Sequence, residues 1–89
     1  MLAVLQDKPG DPDVLHLGQT DLPRLADHEV MIRVEAVAVN RADTLQRRGL
    51  YPVPAGVTQI LGLECAGHVT RVGTHVTSVN IGDKVAIVK

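Results

Sequence analysis

The sequence predicts a mainly β domain with one short helix, built as a small barrel or sandwich. Val and Thr are dense and Gly is frequent, a composition typical of strands rather than helices. Short apolar runs separated by turn signals at close intervals are the pattern of small all-β folds. With 89 residues and no internal boundary, residues 1–89 form one small domain.

Five strands are expected from the apolar runs and the turns between them. The clearest begins at Val30, where apolar residues alternate with polar ones, as in a half-buried strand. Beyond Ala36 both faces become apolar, which predicts that this strand enters the core. The expected strands are residues 1–6, 14–17, 30 to beyond 36, 66–72 and 84–88.

One short helix is expected over residues 41–48. Asn40 is a favoured N-cap, and Asp43 stands at the N3 position, from which a carboxylate can bond back to the cap. Arg47 follows Asp43 by four residues, the spacing of an ion pair on a helix. Gly49 is a natural stop for the helix.

Composition and charge exclude several classes of function. The formal net charge is −1 and no segment is a basic patch, so nucleic acid is not an expected partner. A single cysteine, Cys65, allows no internal disulfide. There is no basic segment before the first apolar run, and no apolar run approaches the ~20 residues of a membrane helix. We therefore expect a cytoplasmic protein without a membrane partner.

Two segments of the sequence contain extended motifs. The first is Asn-Arg-Ala-Asp-x-x-x-Arg-x-Gly-x-Tyr-Pro over residues 40–52, and the second is Leu-Gly-Leu-Glu-Cys-Ala-Gly-x-Val over residues 61–69. Val72-Gly73 and Gly82-Asp83-x-Val85 follow them. In this order the motifs resemble those of the medium-chain dehydrogenase/reductase superfamily, in its zinc-free quinone oxidoreductase branch. The resemblance spans nearly the whole chain and is nearest to the p53-inducible quinone oxidoreductase subgroup. It implies a GroES-like partial β-barrel that carries the helix near residues 41–48.

Two positions imply that this chain holds no catalytic zinc. The zinc alcohol dehydrogenases of the superfamily have a Cys where Asn40 stands and a His where Leu63 stands. An amide and an aliphatic side chain do not replace a thiolate and an imidazole as zinc ligands. The four histidines, residues 16, 28, 68 and 75, show no metal-ligand spacing in the sequence, so no metal site is expected.

The resemblance implies roles for three residues. Asn40 and Asp43 are the expected catalytic residues, lining the cleft and orienting the substrate or the nicotinamide. Both residues also suit a purely structural role as a helix cap, and the two roles are compatible. Tyr51, the only aromatic residue, is expected to contact the cofactor together with Asn40, because its ring can stack and its hydroxyl can donate to a developing oxyanion. A loop residue wedged onto the barrel is the structural alternative.

The resemblance implies hydride transfer from NADPH to quinones by a homo-oligomeric enzyme, with this chain as the substrate-side domain. The 89 residues contain no Gly-x-Gly-x-x-Gly turn, so we expect no Rossmann domain in this chain. The family's nucleotide-binding domain comes later, so the chain is expected to be incomplete at its C-terminal end. Alone, we expect it neither to bind NADPH nor to be active. The alternative is a non-catalytic binding or assembly module, either a co-chaperonin-like subunit or a truncated partner of the full enzyme.

Overall fold

A computed structural model describes residues 1–88 as a mainly β chain with one α-helix. This confirms the predicted fold class. All strand pairing is antiparallel, in one sheet of two strands and one of three. The elements in chain order are β1 (Leu2–Gln6), a 3-10 helix (Pro12–Val14), β2 (Leu15–Gln19), β3 (Val30–Val37), α1 (Arg41–Arg47), β4 (Glu64–Val72) and β5 (Lys84–Val88).

The described residues divide into two compact units. The first unit contains Met1–Leu22 and Val39–Gly62, and so holds the β1–β2 hairpin and α1. The second unit contains Pro23–Ala38 and residues 63–88, which form the β3-β4-β5 sheet. Among the described residues, no helix is long and apolar enough to cross a membrane.

In the first unit, the hairpin pairs its strands in register from Leu2 opposite Gln19 to Gln6 opposite Leu15. The connection contains the 3-10 helix, which the sequence pattern did not predict. Pro12 occupies its first turn, where a missing N–H costs nothing and the fixed φ favours a helical start. The second strand therefore begins at Leu15, one residue later than predicted.

In the second unit, β4 is the central strand and contains the best-buried side chain. Val69 is fully buried, and Gly67 is buried beside it. A Cβ on Gly67 would overlap with the carbonyl oxygen of Arg33 on β3, so the two backbones approach each other as only glycine allows. The strand begins at Glu64, two residues earlier than predicted.

The prediction that β3 enters the core beyond Ala36 is wrong. The later half of β3 is exposed, with Val37 69% and Val34 51% accessible. Apolar residues on both faces indicate a strand covered on both sides, but the side chains of the later half of β3 are exposed on both faces. Within residues 1–88, no further strand pairs with its outer edge.

Helix α1 begins and ends for the predicted reasons. Asn40 is its N-cap in an extended conformation, and Asn40 and Asp43 form a capping box. The helix ends at Arg47, one residue before the predicted end, and Arg48 is its C-cap. Gly49 then takes a φ of +80°, the left-handed conformation that usually follows a helix end.

Candidate functional site

The first unit contains one buried charged side chain, Asp43. It is only 7% exposed, and both of its carboxylate oxygens accept hydrogen bonds from backbone N–H groups. The Asn40 N–H donates to Oδ2 at 2.9 Å, and the Gly62 N–H donates to Oδ1 at 3.1 Å. We call this arrangement the Asp43 clamp. It joins the start of α1 to a position 19 residues further along the chain.

A buried carboxylate needs such partners, because removing a charge from water is costly unless hydrogen bonds replace its hydration. In the clamp each oxygen has one N–H donor, and the first turn of α1 lies beside the negative charge. That placement is favourable, since the N-terminal end of a helix carries partial positive charge. Arg47, the predicted ion-pair partner of Asp43, instead donates from Nε to the Gly10 carbonyl at 3.2 Å.

The connection from α1 to Gly62 is held at a second point by Gln46. Its Nε2 donates to the carbonyl oxygen of Gln59 at 2.8 Å. At the helix end, the Leu50 N–H donates to the Leu45 carbonyl at 2.8 Å, which fixes where the chain leaves α1. The segment that carries Tyr51 is thus attached to α1 at its beginning, through Gln46, and through the clamp.

Tyr51 lines a cavity of about 380 Å³ in the first unit, which we call the Tyr51 cavity. The Tyr51 side chain is 42% exposed. Three amide side chains and a lysine contribute to the walls, together with prolines and Val53. The lining residues are Gln6, Asp7, Lys8, Pro9, Gln46, Gly49, Tyr51, Pro52, Val53 and Gln59.

Gln6 is an unusual member of this wall. Its Nε2 donates to the carbonyl oxygens of Lys8 and Arg47, each at 3.2 Å. Its Oε1 is buried and accepts no hydrogen bond from any described residue. An unsatisfied buried acceptor is rare in folded proteins and is a place where a donor from a ligand or an ordered water can bind.

The structure brings Asn40 and Asp43 together, as the sequence predicted. Neither residue is among those that line the Tyr51 cavity. The cavity has the volume of a small-molecule site and mixes apolar with polar groups, which suits one planar ring with polar substituents. Sequence reasoning missed Gln6, Gln46 and Gln59, because they lie in a strand, a helix and a loop and share no spacing that would indicate a common site.

Comparison with known proteins gives one family for most of the chain. Residues 26–89 match the model of the alcohol dehydrogenase GroES-like domain. A quinone oxidoreductase of Salmonella typhimurium is 40% identical over 81 residues, covering 88% of this chain and 24% of that protein. A phenolphthiocerol/phthiocerol polyketide synthase of Mycobacterium tuberculosis is 35% identical over 79 residues, covering 89% of this chain and 4% of the synthase polypeptide.

A solved structure agrees with these relatives. The Escherichia coli quinone oxidoreductase, crystallised in complex with NADPH, superposes with a TM-score of 0.86 and 34% identity, over 97% of this chain and 26% of that one. The chain thus spans about a quarter or less of the proteins it matches. These matches confirm the resemblance to quinone oxidoreductases of the medium-chain dehydrogenase/reductase superfamily and the GroES-like fold, and they do not favour the assembly-module alternative.

Proposed function

The chain belongs to the alcohol dehydrogenase GroES-like domain family of the medium-chain dehydrogenase/reductase superfamily, and we propose that it is the substrate-side part of a zinc-independent NADPH:quinone oxidoreductase. The observation that carries the proposal is the Tyr51 cavity, a space of small-molecule size lined by the chain's only aromatic residue and three amides. Similarity to quinone oxidoreductases supports the choice of substrate class. Asn40 and Leu63, at positions where zinc enzymes have ligands, support the zinc-independent chemistry.

Tyr51 has the properties needed to hold a quinone or a nicotinamide ring. Its partly exposed ring offers a face for stacking, and its hydroxyl can donate a hydrogen bond to a carbonyl oxygen. When a quinone accepts hydride, negative charge develops on that oxygen. A donor already in place stabilises this charge more than it stabilises the neutral substrate, and so accelerates the transfer.

Asn40 and Asp43 have different roles in our proposal. The Asn40 side chain accepts from the Asp43 N–H in the capping box, and in our proposal the carboxamide held in this way also orients the substrate or the nicotinamide. The geometry of Asp43 supports a positioning role, because its two oxygens already accept from the Asn40 and Gly62 N–H groups. A direct catalytic part for Asp43 stays a prediction.

The bound cofactor, NADPH in our proposal, would supply the hydride. An NADPH complex of a similar quinone oxidoreductase supports this choice of cofactor. From this chain, Tyr51 and Asn40 are the residues proposed to contact its nicotinamide ring. The 89 residues contain no Gly-x-Gly-x-x-Gly turn, so we still expect no useful NADPH affinity from this chain alone. Cytoplasmic location and homo-oligomeric assembly also remain proposals. Light scattering would test the homo-oligomeric assembly.

A chimera tests the proposal. This chain replaces the corresponding segment of the Escherichia coli quinone oxidoreductase, and NADPH oxidation is followed with a panel of quinones. We expect turnover in the chimera and a decrease of kcat of about hundredfold in Tyr51→Phe, the typical cost of removing one oxyanion donor. Val57→Ala, at an exposed position six residues further along that does not line the cavity, is the control and should change kcat little.

Two results would contradict the proposal. One is a folded chimera that binds NADPH but reduces no quinone. The other is a Tyr51→Phe variant with wild-type kinetics and a lowered melting temperature, which would make Tyr51 a structural residue.

A further inference from the structure

Two turns of the second unit bring together a pair of histidines that are distant in the sequence. His28 precedes β3 and His75 follows β4, and 47 residues separate them. The Nε2 of His28 lies 3.4 Å from the Nδ1 of His75. The ring centroids are 4.8 Å apart, and the ring planes are tilted by 56°. Both residues are exposed.

The backbones of these two turns are tied to each other. The His75 N–H donates to the Asp27 carbonyl at 2.9 Å, and the Gly73 N–H donates to the Glu29 carbonyl at 2.8 Å. The Thr74 hydroxyl adds a hydrogen bond to Asp27 Oδ1 at 2.9 Å. Bonds therefore lie on either side of the histidine pair, and the two imidazoles are held near each other without a ligand.

The two ring nitrogens lie within hydrogen-bond distance of each other, so one imidazole can donate to the other when no metal is bound. The same separation also matches that of two ligands of one metal ion. Two nitrogens bound to a tetrahedral zinc at about 2.0–2.1 Å would be about 3.3–3.4 Å apart. Neighbouring ligands in square-planar or octahedral sites would be nearer, at about 2.8–3.0 Å.

We propose that His28 Nε2 and His75 Nδ1 chelate a Zn²⁺ ion, with water completing the tetrahedron. Neutral imidazole is a common zinc ligand, and exposed rings leave room for water. The described residues contain no cluster of three or more His, Cys, Asp or Glu that could hold a metal ion, so two protein ligands are all that the proposal uses. Asp27 Oδ1 is engaged by Thr74 and is not assigned as a ligand.

This zinc would link the turn before β3 to the turn after β4. It is independent of the proposed reductase chemistry, because it involves neither the Tyr51 cavity nor the Asp43 clamp. It revises the expectation of no metal site for this surface only. The spacing of the histidines in the sequence could not indicate the pair, since the turns meet only through the pairing of β3 with β4.

The test uses the 89-residue chain without a histidine tag and titrates it with zinc sulfate in a calorimeter. His28→Gln and His75→Gln are the test variants. His16→Gln and His68→Gln are matched controls, because each of these histidines lies beside a carboxylate, Asp7 or Glu35, and is a rival ligand. Mutating a residue that only hydrogen-bonds to a metal ligand typically weakens metal binding about 10–100-fold. Removing a ligand itself should weaken it at least as much, so we expect each test variant to bind zinc at least about 10–100-fold more weakly than the wild type. The controls should bind one zinc as the wild type does.

Two further measurements keep the result decisive if a test variant folds poorly. Stoichiometric zinc should shift the imidazole ¹⁵N resonances of His28 and His75 and leave those of His16 and His68 in place. Zinc should also raise the melting temperature of the wild type, because it binds only where folding brings both rings together. The proposal is wrong if zinc binding survives both test variants, if a control abolishes it, or if millimolar zinc shifts neither His28 nor His75.

Discussion

Removing the Asp43 carboxylate should destabilise the first unit more than any other single change to an acidic side chain there. In Asp43→Ala, α1 loses half of its capping box, which typically costs about 0.5–2 kcal/mol. The Gly62 N–H loses a hydrogen bond to a charged acceptor, which is typically worth about 1.5–3 kcal/mol. Because Asp43 is 7% exposed, water replaces neither bond fully. We expect a total loss of about 2–5 kcal/mol in the free energy of unfolding.

Thermal and denaturant melts of the 89-residue chain measure this loss. At about 4–8 °C per kcal/mol for a domain of this length, a loss of that size lowers the melting temperature by at least about 8 °C. Asp43→Asn should fall between wild type and Asp43→Ala, because the amide keeps one acceptor but turns an NH₂ group toward the other N–H donor. Asp21→Ala, an exposed carboxylate in the same unit, is the matched control and should stay within about 0.5 kcal/mol of wild type.

Hydrogen exchange locates the effect. The amides of Asn40 and Gly62 donate to Asp43 and should lose protection in Asp43→Ala, whereas they should keep it in the Asp21→Ala control. The reasoning is refuted if Asp43→Ala melts within about 0.5 kcal/mol of the control while both amides exchange as slowly as in the wild type.

Two further stability predictions concern β4. Val69→Ala removes two methyl groups from the fully buried side chain and should cost about 2–3 kcal/mol, whereas Val39→Ala, at an 80% exposed position, should cost little in the same denaturant melts. Gly67→Ala places a Cβ against the Arg33 backbone and should cost at least as much as Val69→Ala. Gly18→Ala, where the nearest atom belongs to a side chain that can move, should cost less, and equal melting temperatures for the two glycine variants would contradict this argument.

The features that the sequence predicts well are local ones. Helix α1, its N-cap Asn40 and its end near Gly49 depend on residues within one or two turns of each other, so the amino-acid order contains nearly all the necessary information. Alternation likewise predicted where β3 begins. The 3-10 helix was missed because Asp-Pro-Asp at residues 11–13 indicates a turn equally well.

The features that the sequence does not predict depend on which distant segments meet. Gly62 as the second partner of Asp43, the amide wall of the Tyr51 cavity and the His28–His75 pair all join residues far apart in the chain. The exposure of Val37 was missed for the same reason. Apolar residues indicate that a strand face is suited to burial, but they do not indicate whether another segment covers that face.

The Asp43 clamp shows why a structural and a functional reading of residues 40–62 need not compete. The carboxylate fixes the Asn40 backbone at one end of this segment and the Gly62 backbone at the other. Gln46 fixes the chain again at Gln59, and both of these residues line the Tyr51 cavity. A capping box alone would need only the first contact, because the Gly62 bond adds nothing to the helix. The hydrogen bond from the Gly62 N–H to Asp43 instead restrains the loop that follows α1. Hydrogen bonds at both ends limit the conformations of this loop, and Tyr51 can therefore keep a fixed position in the cavity wall.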